Sequence, residues 1–220
     1  MKTTLRTLLF ALLPAAAFAQ ETTIPVKLGF NAGATYAGIR GNEGAEANDY
    51  AIDYLVGLSF EAPLSDNLSL LANLNYERKS FTNTIYIENG DPFDPVVGGG
   101  NVDTRLTLQY LTLPVNLKYY IGQSKGFYIN GGVYAGYFLG GILKADGNKV
   151  DDNSDGLFKK VDFGLNLGIG MRFPIDEKND LNIELRDNLG LANISDGPTV
   201  GNGTIKTNSV NLIVGWQFNL

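Results

Sequence analysis

The sequence predicts an all-β chain, an eight-stranded antiparallel up-and-down barrel that crosses a membrane. Three observations predict it. Apolar and polar residues alternate with period two over eight long stretches, the pattern of strands with two unlike faces. Short and long connections alternate strictly between those stretches. The polar face is built largely of Gly and Asn, not of the Lys, Glu and Thr that cover a solvated sheet.

Taken in order, the first segment is an address. Lys2 and Arg6 precede the apolar run Leu8 to Ala19, and Ala17-Phe18-Ala19 offers the small residues a signal peptidase reads. Residues 1–19 are therefore expected to be a signal peptide cleaved before Gln20, leaving 20–220 as the barrel domain. Twelve apolar residues at ~1.5 Å each do not cross ~30 Å of hydrocarbon.

The strands follow. Leu28, Phe30, Ala32, Ala34 and Tyr36 mark the first, and Tyr50, Ile52, Tyr54, Val56, Leu58, Phe60 and Ala62 the second. Leu68, Leu70, Ala72, Leu74 and Tyr76 mark the third. The fourth runs from Arg105 to Ile121, its apolar phase slipping between Tyr110 and Leu111, with a bulge expected near Pro114. Phe127, Ile129, Val133, Ala135, Tyr137 and Leu139 mark the fifth, and Val161, Phe163, Leu165, Leu167, Ile169, Met171 and Phe173 the sixth. Leu181, Ile183, Leu185, Leu189 and Leu191 mark the seventh, interrupted by Asp187, and Val210, Leu212, Val214, Trp216 and Phe218 the last. Such lengths suit the ~9–11 residues that cross a bilayer at a tilt, where soluble strands average ~5–6.

Residues 63–67, 122–125 and 174–180 form short turns, whereas 38–49, 80–104, 140–158 and 192–208 read as long polar loops facing outside the cell. Aromatics fall into two bands. Phe30, Phe60, Tyr119, Phe127, Phe173, Trp216 and Phe218 lie toward the short turns; Tyr36, Tyr50, Tyr54, Tyr76, Tyr137 and Phe163 lie toward the loops. Two girdles around an aliphatic band are what a membrane interface selects. The inward positions Gly29, Gly33, Gly57, Gly132, Gly136, Gly164, Gly168 and Gly170, with Asn73, Asn75, Asn130 and Asn166, suit a narrow, crowded lumen.

Composition closes off several functions. With no Cys and no His, disulfides and catalysis by Ser-His-Asp or Cys-His sets are excluded. Losing Lys2 and Arg6 leaves 15 basic against 23 acidic residues, so the net charge moves from −6 to −8, which disfavours nucleic acid.

Four stretches resemble the PorT-like outer-membrane β-barrel family of the Bacteroidota. They are Tyr110-Leu111-Thr112-Leu113-Pro114-Val115-Asn116-Leu117-Lys118-Tyr119; Tyr128-Ile129-Asn130-Gly131-Gly132-Val133-Tyr134-Ala135-Gly136-Tyr137; Asp162-Phe163-Gly164-Leu165-Asn166-Leu167-Gly168-Ile169-Gly170; and Ile183-Glu184-Leu185-Arg186 leading to Leu189-Gly190-Leu191-Ala192-Asn193-Ile194. The resemblance implies an eight-stranded outer-membrane barrel and no particular activity. Where that family usually has Tyr after Glu-Leu-Arg, this chain has Asp187, which must lie at the outer interface or turn inward through a bulge.

The candidate sites are modest. Asp53, Glu61, Glu77, Lys79, Lys118, Asp162, Arg172, Glu184 and Arg186 fall on the lumen phase and are expected to fill it as ion pairs, the rival being a charged channel. In 80–104, Phe93 and Val96-Val97 offer apolar contacts for a binding loop, although a mobile loop whose apolar residues fold back over the barrel mouth is favoured. Asp151, Asn153, Asp155 and Gly156 fit the start of a calcium loop, with Asp162 in place of the closing Glu, although an ordinary solvated loop is favoured. No catalytic, cofactor or metal residue is assigned. The expected function is a monomeric, non-enzymatic outer-membrane barrel with a packed lumen, whose loops serve binding, adhesion or envelope integrity. The alternative is a small porin or an accessory barrel of a protein secretion system.

Overall fold

The computed structural model describes residues 25–87, 100–151, 156–197 and 203–220. Eight strands form the ring: β1 (Lys27–Arg40), β2 (Asp49–Pro63), β3 (Leu68–Ile87), β4 (Gly100–Ile121), β5 (Phe127–Ala145), β7 (Val161–Pro174), β8 (Asn179–Gly190) and β9 (Lys206–Asn219). Neighbours are antiparallel, and β9 pairs back onto β1 from Lys27↔Asn219 to Arg40↔Lys206. The sheet is thereby closed and the ring has no open edge. The one-turn helix α1 (Glu43–Glu46) and the short strand β6 (Asn148–Asp151) are added on the side of the long loops.

The period-two pattern translates directly into two faces. Along β7, Asp162, Gly164, Asn166 and Gly168 point inward while Val161, Phe163, Leu165, Leu167 and Ile169 point outward. The barrel is thus apolar outside and polar inside, the inverse of a soluble domain. The inner face is too crowded for larger side chains. A Cβ on Gly168 would approach Asn130 Oδ1 to 2.8 Å and Glu184 Oε1 to 2.9 Å, and one on Gly170 would collide with the Tyr128 ring.

The short turns are locally specified. Gly122 adopts φ 75° between β4 and β5, a conformation that glycine meets without strain. Between β7 and β8, Asp176 accepts from the backbone N–H groups of Lys178 and Asn179, each at 2.8 Å. Those bonds, with the Asn179 amide, hold its carboxyl below the usual carboxylate range.

Three expectations need correction. Two of the four long loops, 80–104 and 140–158, hold much strand: β3 continues to Ile87, β4 starts at Gly100, and β5 runs to Ala145. Thr82, Thr84 and Thr104 read as polar loop residues, yet with Ile85 and Val102 they are β-branched and favour extended backbone. An Asp146-Gly147 turn with φ 47° and 80° then folds β6 back onto β5, the positive-φ pair a two-residue hairpin requires.

The bulge is not at Pro114. Register with β5 shifts between Gln109 and Tyr110, where Leu139 is the extra residue. At Leu113–Pro114 the β3–β4 ladder lapses without changing register, as a residue lacking an N–H allows. Tyr110 and Leu108 do not mark a slip of phase; they point inward and belong to an apolar interior near the loop side. Of the two placements expected for Asp187, the inward bulge is the one that fails: Asp187 faces outward, and β8 keeps its register with β7 and β9 through that position.

Candidate functional site

The barrel interior is the densest polar region of the molecule. At the short-turn end, Lys27 from β1 meets Asp180 from β8 at 2.6 Å, and Arg172 from β7 lies 3.8 Å from the same carboxylate. One layer up, Glu61 accepts from Lys118 at 2.9 Å, from the Tyr120 hydroxyl at 2.6 Å and from Gln217 at 3.3 Å. Glu184 accepts from Arg186 at 2.6 Å and from the Tyr128 hydroxyl at 3.0 Å, while Arg186 also donates to Asn73. Toward the loops, Lys79 donates to Asp162 at 3.3 Å, and Thr207 and Tyr134 donate to the same oxygen. Glu77 accepts from Ser209 at 3.1 Å.

This accounts for the lumen-phase set, with one exception. Asp53 does not join the interior layers. The β2–β3 register shifts between Ala51 and Leu55, and the Asp53 carboxylate sits in that opening. It is held there by Ser80, by Arg78 at 3.1 Å and by Arg105 at 3.4 Å, both arginines partly exposed. Its phase is the inward one expected, since Ile52 and Tyr54 beside it face outward and it pairs with buried Thr35. Its partners were not readable, because a bulge cannot be seen in an unbroken alternation of residue types.

The sequence also hid part of the network. Lys27 and Asp180 sit at strand ends beside Leu28 and Leu181, so alternation gives their polar phase but not that they meet. Tyr120, Tyr128 and Tyr134 point inward, each presenting a hydroxyl to a carboxylate, because a ring can pack against lysine stems while its oxygen stays bonded. The Lys118 ammonium lies 4.0 Å from the Tyr128 ring centroid and 4.8 Å from that of Tyr120. The missed signal is an aromatic residue in the polar phase.

Counted together, Lys27, Lys79, Lys118, Arg172 and Arg186 face Glu61, Glu77, Asp162, Asp180 and Glu184, so the interior charges balance. A cavity of about 30 Å³ remains among Asn31, Asn73, Lys118 and Arg186. It has space for a water molecule or two and nothing larger. Above the charged layers an apolar cap closes the loop-side mouth: Ile39, Ala45, Phe81, Leu108, Tyr110, Phe138, Phe158 and Ile194 pack together. Phe138 lies between Tyr110 and Phe158, with ring centroids 5.5 and 5.7 Å away.

Above the cap, β3, β4, β5 and β6 stand as a four-stranded wall. A polar cleft of about 600 Å³ adjoins it, lined by Asp49, Thr82, Thr84, Asp103, Arg105 and Lys144 among others. Phe93, Val96 and Val97 lie outside the described residues, as do Asn153, Asp155 and the 1–19 segment. Asp162, the twelfth position of the calcium-loop pattern, is buried in the barrel and bonded there. It therefore does not serve that loop. Among the described residues no group of three or more His, Cys, Asp or Glu is placed to hold a metal ion.

A family model described as outer membrane protein beta-barrel domain matches residues 18–196. The chain belongs to that family. Its location is accordingly the outer membrane, and the apolar outer face is its contact with lipid. As an outer-membrane barrel it carries both aromatic girdles on that face. Phe30 packs edge-on against Phe218 near the short turns, and Tyr36 against Tyr50 and Tyr54 against Tyr76 near the loops.

No curated protein matches the chain. Among solved structures it is similar to neisserial surface protein A, with 13% identity over 88% of this chain and 97% of that one and a TM-score of 0.47. It is also similar to Ail of Yersinia pestis, in complex with the heparin analogue sucrose octasulfate, with 9% identity over 89% and 100% of the two chains and a TM-score of 0.44. OprG of Pseudomonas aeruginosa is similar at 15% identity over 90% and 96%, with a TM-score of 0.41.

Proposed function

We propose that this outer-membrane barrel is a non-conducting, non-enzymatic monomer that presents its β-wall and loops to a partner outside the cell. The observation that carries the reading is a division of labour along the axis. Ion pairs fill the lumen, an apolar cap covers it, and β3 and β4 continue to 20 and 22 residues. Crossing the bilayer needs only ~9–11. The extra length therefore builds surface above the membrane, where exposed Tyr86 and Val150 and the polar cleft offer contact chemistry. A small porin is disfavoured by the same filling of the lumen. An accessory role in protein secretion has only the resemblance to PorT-like barrels behind it.

Planar-bilayer recording of the refolded protein, with attachment of cells carrying full-length or wall-shortened protein to a host-matrix surface, tests the reading. We expect no steady conductance, and attachment that falls when residues 84–102 are replaced by a tight turn. Stable channels that pass small sugars would overturn it in favour of the pore.

A further inference from the structure

The outer face is not uniformly smooth. Near the short-turn side an apolar groove of about 420 Å³ crosses it, beginning between Ile121 and Phe127 and passing Ile129, Ile169 and Leu185 to Leu212. Its lining includes Gly170, whose absent side chain would point into the lumen toward Tyr128, so the groove is shaped by the outward Ile129, Ile169, Met171 and Leu185. These residues come from β4, β5, β7, β8 and β9, four strand spacings of ~4.8 Å, so the groove runs about 19 Å obliquely. One leaflet of a ~30 Å hydrocarbon core is about 15 Å deep. A single acyl chain following the slant fits that length; a compact solute does not.

The end of the groove says what the chain is attached to. Ile121 and Phe127 flank the turn that holds Lys125, fixed at φ 50°. Lys125 has no ion-pair partner among the described residues. The short turns lie on the periplasmic side of an outer-membrane barrel, so this lysine stands at the headgroup level of the inner leaflet. We propose that the groove binds one acyl chain of an inner-leaflet phospholipid whose phosphate is held by Lys125. The groove is continuous with the lipid-facing surface, which places hydrocarbon at its mouth at all times.

Native mass spectrometry of the refolded full chain, with phosphatidylglycerol and phosphatidylethanolamine as probes, tests this. Ile169→Trp fills the groove, and Leu165→Trp places the same ring elsewhere on the lipid face; both point outward and leave the packed interior alone. One phospholipid should be retained by the wild type and by Leu165→Trp, with the bound fraction at least tenfold lower in Ile169→Trp. Lys125→Gln should reduce the preference for phosphatidylglycerol about fivefold, corresponding to the ~1 kcal/mol a lysine is worth at an anionic lipid surface. Equal retention by Ile169→Trp overturns the acyl site, and an unchanged lipid preference in Lys125→Gln overturns the phosphate contact. A wild-type dimer that Ile169→Trp converts to monomer overturns it too, with a second copy as the occupant.

Discussion

Asp187 on β8 stands directly opposite Leu167 on β7, both side chains on the lipid-facing side. A carboxylate there is expensive, and the aliphatic neighbour gives it no partner. The pairing also decides where a positive charge can be added. An arginine at Leu167 would meet Asp187 across the strands, whereas one at Ile169 would lie between Leu185 and Ile129.

Ile169→Arg should therefore cost ~2–4 kcal/mol of barrel stability near the midplane, and Leu167→Arg distinctly less. Urea titration after refolding into phospholipid vesicles measures both. Adding Asp187→Asn should abolish the difference. Equal losses in the two single variants would mean the pair does not form in lipid.

Arg186 holds Glu184 and Asn73 in a space that water scarcely enters. Arg186→Gln strands a buried carboxylate and should destabilise the barrel by roughly 3–5 kcal/mol. Glu184→Gln combined with Arg186→Met removes both charges and should recover most of that loss. A urea midpoint unmoved by Arg186→Gln would leave the interior pairs without energetic weight.

Glycines inside and outside the barrel should respond in opposite ways. Gly168→Val drives a side chain toward Asn130 and Glu184 and should block refolding or lower the midpoint strongly. At Gly131 an added Cβ meets nothing nearer than 3.5 Å. Gly131→Ala should be neutral or stabilise by about 0.4–1 kcal/mol, through the lost freedom of the unfolded chain.

The Asp176 turn gives a pH dependence. Its folded carboxyl ionises below the ordinary value of ~3.9. The turn's contribution is thus present in full above that value and is lost as pH falls through the depressed one. Carboxyl-detected NMR in micelles should give Asp176 a midpoint below 3.9, with the Lys178 and Asn179 amide signals moving at the same pH. A midpoint at or above the ordinary value would show that the two backbone bonds do not persist in solution.

What the sequence disclosed and what it hid differ by physical cause. The outer face was readable because lipid imposes one chemistry on every second residue, as in the unbroken run from Val161 to Phe173. Glu61, Lys118, Glu184 and Arg186 were readable as inward for the same reason. Their partners were not, since Lys118 and Glu61 are 57 residues apart and become neighbours only through the pairing of β2 and β4 with β3. Tyr120 and Tyr128 were hidden because one residue type serves the membrane interface and the interior alike. The partners of Asp53 were hidden because a bulge changes geometry without changing residue types. The β-wall was hidden because threonine is polar to a hydropathy scale and extended to the backbone.

The ties across the lumen also bear on how the barrel is assembled and inherited. Lys27 and Asp180 lie 153 positions apart, and the Glu61 cluster draws on β2, β4 and β9. The contacts of Lys27 with Asp180 and of Glu61 with Gln217 span the β1–β9 seam and do not exist before it closes. Until β1 meets β9, these seam-spanning groups remain hydrated, and closing the seam must expel that water. Folding should be slow and all-or-none, with no stable half-barrel to fall back on. Deleting or duplicating a hairpin would strand several charges at once, whereas the wall above the cap can lengthen or shorten without disturbing what lies below.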